Sequence, residues 1–168
     1  MTSPRAAVIT ISDSVASGDA TDRSGPLAVA GLSAAGIEIL EQTVVPDDAG
    51  EIEAELVRLC DAGADLVVTT GGTGLGPRDV TPEATSAVLD RPAPGLAELL
   101  RLRGLEKTPL AALSRGIAGL RGSTLIINLP GSAAAVEEGL EALKPVLRHA
   151  LAVSSGDTTH RGASSVVD

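Results

Sequence analysis

Short aliphatic runs alternate along this chain with longer stretches whose apolar residues recur every three or four positions. Residues 6–12, rich in β-branched side chains, predict a first buried strand. Ser24 caps a helix that carries Pro26 early and stops at Gly36, and residues 37–45 form a second strand. Pro46-Asp47 makes a turn, after which Asp48 and Glu51 form a capping-box pattern opening a helix over residues 52–60. Leu66-Val67-Val68 begin a third strand, over residues 66–70, apolar enough to be covered on both faces. The Thr81 hydroxyl, Pro82 and Glu83 then read as cap, first position and first-turn acid of a helix ending near Leu89. Arg91-Pro92-Ala93-Pro94-Gly95 breaks the pattern. An amphipathic stretch follows over residues 96–105, then a short helix from Thr108-Pro109 to near Leu113. Residues 117–120 and 124–129 flank Arg121-Gly122 as a hairpin. Ser132 caps a last helix over residues 133–143, which Pro145 kinks or restarts before it continues through Val153.

Strands alternating with helices predict an α/β fold: a mostly parallel sheet with helices on both faces, three layers deep, with a small β-hairpin. Ligands of such sheets bind beyond the carboxyl ends of the strands. The loops leaving those ends are Ser12-Asp13-Ser14, Pro46-Asp47, the glycine-rich segment after residue 70, and Pro130-Gly131-Ser132, and they are expected to converge on one edge. The 168 residues fit one domain, over residues 1–153, with a flexible tail over residues 154–168 that lacks apolar periodicity.

Composition sharpens this picture in three places. Apolar residues make up 43% of the chain, yet Phe, Trp and Tyr are all absent, so the core is aliphatic. A flat ligand ring would have to rest on backbone, proline, aliphatic side chains or an arginine plane. The formal net charge of −9, with no run of basic residues, argues against a nucleic-acid partner. A small anion stays compatible, because a glycine loop and one arginine act at close range. The single cysteine, Cys60, excludes an internal disulfide and reads as a packed thiol. No apolar span suits a membrane helix and the first residues lack signal-peptide features, so a cytoplasmic location without a membrane partner is expected.

Candidate chemistry concentrates in residues 69–85, TTGGTGLGPRDVTPEAT. A buried strand leads into Gly71, Gly72, Thr73, Gly74 and Gly76 and then into a helix start, an arrangement that presents backbone N–H groups to an anion. The loop lacks the Gly-Lys-Ser/Thr ending of a P-loop and the spacing of the dinucleotide motif. Arg78 and Asp79 lift it above a plain turn; Arg78 could hold a phosphate or pair with Asp79. Asp47 and Asp79, at strand ends, are suitable magnesium anchors for phosphoryl or nucleotidyl transfer, since Mg²⁺ keeps several waters and needs one or two protein oxygens. Ser12, Asp13 and Ser14 could hydrogen-bond a nucleotide or pterin, and the N–H groups of Gly131 and Ser132 could bind an anion. His149 and His160 are read as surface histidines, and no Ser-His-Asp or Cys-His set can be assembled.

The signature GGTGLGPRDVTPEAT resembles that of the molybdopterin-binding family of the MogA, MoaB and gephyrin G-domain type. Ile9-Thr10-Ile11-Ser12-Asp13-Ser14, Asp22-Arg23-Ser24-Gly25, Val45-Pro46-Asp47, Leu113-Ser114-Arg115 and Ile126-Ile127-Asn128-Leu129-Pro130-Gly131-Ser132 are similar to the family's other motifs, in the same order. The resemblance implies an enzyme of molybdenum-cofactor biosynthesis that uses MgATP to adenylylate molybdopterin, its terminal phosphate attacking the α-phosphate of ATP with release of pyrophosphate. It implicates Asp47 and Asp79 in catalysis and Ser114 and Arg115 in substrate contact. It also implies a homotrimer and a partner enzyme for molybdate insertion. Leu75 stands where many relatives place a bulkier or aromatic residue. A MoaB-like role without adenylyl transfer and a non-catalytic molybdopterin carrier or scaffold are the rival readings. A pyrophosphatase of the competence-damage-inducible type is disfavoured by its different loop motifs.

Overall fold

The computed structural model describes residues 3–156. Six strands, β1 (Arg5–Ile11), β2 (Glu38–Val45), β3 (Leu66–Thr70), β4 (Arg91–Pro92), β5 (Ala118–Arg121) and β6 (Thr124–Leu129), form one sheet in the order β2-β1-β3-β6-β5-β4. The first four in that order are parallel; β5 runs antiparallel to β6, and β4 antiparallel to β5. The helices are α1 (Asp13–Ala16), α2 (Ser24–Ala34), α3 (Ala49–Asp61), α4 (Thr81–Val88), α5 (Pro94–Leu105) and α6 (Ala133–Ser154), with a 3-10 turn over Pro109–Leu113.

Strand alternation builds two cores from the same sheet. Ala6, Val8, Leu66, Val68, Leu125 and Ile127 face α2, α5 and α6, whereas Ala7, Ile9, Val67 and Ile126 face α3 and α4. Both faces are therefore covered, and the three-layer expectation holds. The register pairs Thr10 with Thr70 and Thr70 with Leu129, so β1, β3 and β6 end side by side. The helices that follow β1 and β3 turn to opposite faces, α2 into one core and α4 into the other. A crevice opens where adjacent parallel strands part company in this way. The loops after β1, β2, β3 and β6 all leave at this edge.

Several local expectations are corrected, two of them because a distant partner outweighs a local signal. Ser24 does not cap α2: Arg23 holds that position without a side-chain bond, and the Ser24 hydroxyl lies 2.7 Å from that of buried Thr70. Asp22 serves the helix end instead, accepting from the Gly25 N–H at 2.9 Å. Thr81 likewise lies inside α4, after Val80. Residues 13–16, read as loop, form one helical turn capped by Ser12, whose Oγ accepts from the Val15 N–H at 3.3 Å. Arg91–Pro92 is a short edge strand rather than a break, a place where proline's missing donor is tolerated. α6 spans Pro145 as a single 22-residue helix and ends at Ser154, one residue into the expected tail. Residues 157–168, His160 among them, lie outside the described residues.

Candidate active site

β3 feeds directly into the glycine loop. Gly71 and Gly72 take φ values of 99° and 64°, a region that strains other residues. A Cβ on Gly71 would run into the Ile11 carbonyl oxygen, and one on Gly72 into the Thr81 hydroxyl, so glycine lets the exit of β3 press against the end of β1. Three bonds seat the start of the loop. The Gly71 N–H donates to the Leu129 carbonyl at 3.1 Å, the Thr81 N–H to the Gly72 carbonyl at 3.1 Å, and Thr81 Oγ1 to the Gly71 carbonyl at 3.0 Å. The N–H groups of Gly72, Thr73 and Gly74 have no acceptor among the described residues.

The acids are coupled across the sheet edge. The Asp13 N–H donates to Asp47 Oδ2 at 2.9 Å, and the Asp47 N–H donates to Asp13 Oδ1 at 3.0 Å. Arg78 forks onto Asp13, Nε to Oδ2 at 3.0 Å and Nη2 to Oδ1 at 2.8 Å. Its side-chain partner is therefore Asp13 and not Asp79. Asp79 closes its own turn: Oδ2 accepts from the Gly76 N–H at 2.8 Å while its N–H donates to the Gly76 carbonyl at 3.0 Å. The Arg78 guanidinium holds the Asp13 carboxyl below the usual carboxylate range. Burial pushes the Asp47 carboxyl up, and the charges of Asp13 and Asp79 add to that.

A cavity of about 540 Å³ lies between the glycine loop, α5, the 3-10 turn and the turn from β6 to α6. Gly71, Gly72, Thr73, Gly74, Asp79, Ser114, Pro130, Gly131 and Ser132 all contribute to its wall. Its apolar side is aliphatic, from Ala97, Leu100, Leu110, Ala111 and Leu113. Ser12, Asp13, Ser14, Asp47 and Arg78 do not line it. Asp13 and Ser14 border a shallow open depression with Pro46, and the hydroxyls of Ser12 and Ser14 lie 3.2 Å apart. The two groups meet at the loop, because a Cβ on Gly72 would sit 3.1 Å from Asp47 Oδ1. Leu75 is 67% exposed at the loop tip and forms no part of the cavity wall.

Three wall or support residues escaped the reading of the sequence. Asn128, 2% exposed, donates from Nδ2 to Thr69 Oγ1 at 2.9 Å and to Thr85 Oγ1 at 3.0 Å, and accepts the Ile117 N–H at 3.1 Å. One polar residue inside the apolar run Leu125–Leu129 was the available signal. Arg101 of α5 donates to the Gly116 carbonyl at 2.9 Å. Glu83 pairs with Arg115. His149 is exposed on α6, as expected, and Cys60 is half-buried against the second core.

The profile of the family described as a probable molybdopterin binding domain matches residues 7–149, and the chain belongs to that family. It is 41% identical over 154 residues to the molybdenum cofactor biosynthesis bifunctional protein of Chlorobaculum tepidum, covering 92% of this chain and 49% of that protein. The chain thus spans about half the length of that bifunctional relative. It is 41% identical over 153 residues to the molybdopterin adenylyltransferase of Helicobacter pylori strain 26695, covering 89% and 87% of the two chains. Among solved structures, the molybdopterin biosynthesis enzyme MoaB from Thermus thermophilus superposes with a TM-score of 0.85 at 51% identity, covering 90% of this chain and 96% of that one.

Proposed function

We propose that this chain acts in molybdenum-cofactor biosynthesis by transferring an adenylyl group from ATP to the terminal phosphate of molybdopterin. The observation that carries the reading is the junction at the glycine loop, where a cavity edged by unpaired N–H groups and Asp79 adjoins the Asp47–Asp13–Arg78 cluster. The N–H groups of Gly72, Thr73 and Gly74 hold phosphate oxygens, and those of Gly131 and Ser132 extend the same donor edge, Gly131 packing against Gly71. A phosphate oxygen of molybdopterin forms a bond to the α-phosphorus of ATP while the bond to the β-phosphate oxygen breaks and pyrophosphate leaves. The aliphatic wall from Ala97 to Leu113 receives the flat ring that no aromatic side chain can stack on.

The donor set fits magnesium. Asp47 and Asp79 offer hard carboxylate oxygens, and Oδ1 of each accepts no hydrogen bond among the described residues. No group of three or more His, Cys, Asp or Glu side chains is placed to hold a metal among those residues, which suits an ion that arrives with ATP and keeps its waters. Magnesium bound there would neutralise charge that builds at the α-phosphate and on the departing pyrophosphate. Exposed Leu102 and Leu105, outside the cavity wall, suit the trimer implied by the family resemblance, which light scattering on the purified chain would test.

The test is product formation from molybdopterin and MgATP. The wild type is expected to make adenylylated molybdopterin, and Asp47→Asn and Asp79→Asn to make at least 100-fold less, on the order of one lost transition-state interaction. A wild type that binds molybdopterin and makes no such product overturns the transferase reading. It leaves the MoaB-like reading, which the 51% identity to the Thermus thermophilus protein favours.

A further inference from the structure

We propose that Arg115 is a positioning residue that acts through the glycine loop and makes no contact with substrate; the proposal rests on the transferase reading for its kinetic consequence alone. The guanidinium reaches back over a long sequence separation to clamp that loop. Nε donates to the Gly74 carbonyl at 2.7 Å, and Nη2 donates to the Asp79 carbonyl at 2.6 Å. Nη1 pairs with Glu83 Oε1, and Nη2 also reaches Glu83 Oε2 at 3.4 Å. The Arg115 backbone N–H adds a bond to the Thr73 carbonyl at 2.8 Å. The loop is thus gripped at Thr73, Gly74 and Asp79 and tied through Glu83 to the first turn of α4.

Where Arg115 does not go is equally informative. Ser114 and Gly116 line the cavity, and Arg115 between them does not. Its planar fork faces the back of the loop, where carbonyls replace the phosphate oxygens that an arginine in the cavity would meet. Every backbone carbonyl that Arg115 fixes belongs to a residue whose other groups face the site. Thr73 and Gly74 offer unpaired N–H groups, and Asp79 offers its carboxylate. The brace has a support of its own, since Arg101 on α5 holds the Gly116 carbonyl at 2.9 Å and the Ser114 carbonyl at 3.4 Å. Loss of the guanidinium frees the backbone that aims both the N–H groups and the acid.

The experiment compares the wild type with Arg115→Ala, Arg115→Lys and Glu83→Ala, each checked for native helix content by circular dichroism. Hydrogen–deuterium exchange of the segment 71–81 is measured alongside kcat and KM for adenylyl transfer. Arg115→Ala is expected to speed exchange at Gly76, Asp79 and Thr81, whose N–H groups are hydrogen-bonded within the loop, and to lower kcat about 100-fold, with KM for both substrates within about threefold, because misplacement by about 1 Å acts on the reaction more than on binding. Glu83→Ala should repeat the pattern in smaller measure, and Arg115→Lys should recover part of kcat, since one ammonium cannot fork between two carbonyls and a carboxylate. Unchanged exchange in Arg115→Ala overturns the proposal. So does a rise in KM at constant kcat together with a fall in KM in Glu83→Ala, the signature of a phosphate-binding arginine released from its partner. Exchange needs no turnover, so a wild type without transferase activity would sink the transferase reading while the loop measurement still decided for or against the brace.

Discussion

Replacing Asn128 with alanine removes a side chain that joins β3, β6, α4 and the start of β5 at the sheet edge carrying the candidate site. Of its three hydrogen bonds, those to Thr69 and Thr85 at 2.9 and 3.0 Å are buried and the one from the Ile117 N–H at 3.1 Å is partly buried, the residue itself being 2% exposed. The losses are unequal. The partly buried Ile117 N–H is left without its acceptor, which costs about 1–3 kcal/mol where no water replaces it. The hydroxyls of Thr69 and Thr85 can rotate toward other acceptors, so each lost bond costs about 1 kcal/mol. Together these come to about 3–5 kcal/mol, a large share of the roughly 5–15 kcal/mol by which a domain is stable. The midpoint should fall by about 10 °C in calorimetry, at about 2–4 °C per kcal/mol for a chain of this size. Thr85→Val, which removes one bond and keeps the volume, should cost only about 1–2 kcal/mol. Asn128→Asp keeps the acceptor but buries a charge, so it should be less stable at pH 7 than at pH 4 relative to wild type. An Asn128→Ala protein within 1 kcal/mol of wild type, on the scale of one ordinary hydrogen bond, would refute the reasoning.

Two further outcomes follow from the loop and its acids. Gly72→Ala places a Cβ against the Thr81 hydroxyl and 3.1 Å from Asp47 Oδ1 at a φ of 64°; it should cost about 1–3 kcal/mol in urea titration and depress product formation, and a neutral result would mean the loop relaxes freely. Asp13 is held low by Arg78, so the pair stabilises the fold above the ordinary carboxylate range near pH 4, and that contribution disappears as pH falls through the folded value. Arg78→Gln should therefore lower the melting point at pH 7 and match wild type in strong acid. Asp47 is pushed up by burial, so its ionisation opposes folding above its folded value, and Asp47→Asn should melt higher at pH 7, with the gain fading as pH falls through that value and gone by about pH 4.

Much of this molecule can be read without coordinates. Leu66-Val67-Val68 and the run from Leu125 are apolar at every position or nearly so, which only a strand covered on both faces requires, and the sheet follows from that. The converging loops follow from the sheet. Hydroxyl and acid partners were less legible. Ser24 and Thr81 carry the local marks of helix caps, yet their bonds go to Thr70 and to the Gly71 carbonyl, partners that only the folded chain brings close. Glu83 looks like a first-turn acid because that is a local role, while its pairing with Arg115 spans 32 residues. Arg78 stands beside Asp79 in sequence but turns to Asp13, since adjacent side chains point apart and an exposed arginine finds the carboxylate across the loop. Pro92 marked a break because proline cannot donate to a sheet, and it does so only where an edge asks for no donor.

The aliphatic cavity wall has an optical consequence. With no Phe, Trp or Tyr anywhere in the chain, the protein is nearly transparent in the near ultraviolet. A conjugated ring seated among Leu100, Leu110 and Leu113 would therefore own every absorption and emission band above the peptide region, with no indole to quench it or to mask its shifts. The binding site is its own blank cuvette, and occupancy could be followed from the spectrum of the ligand with no label attached.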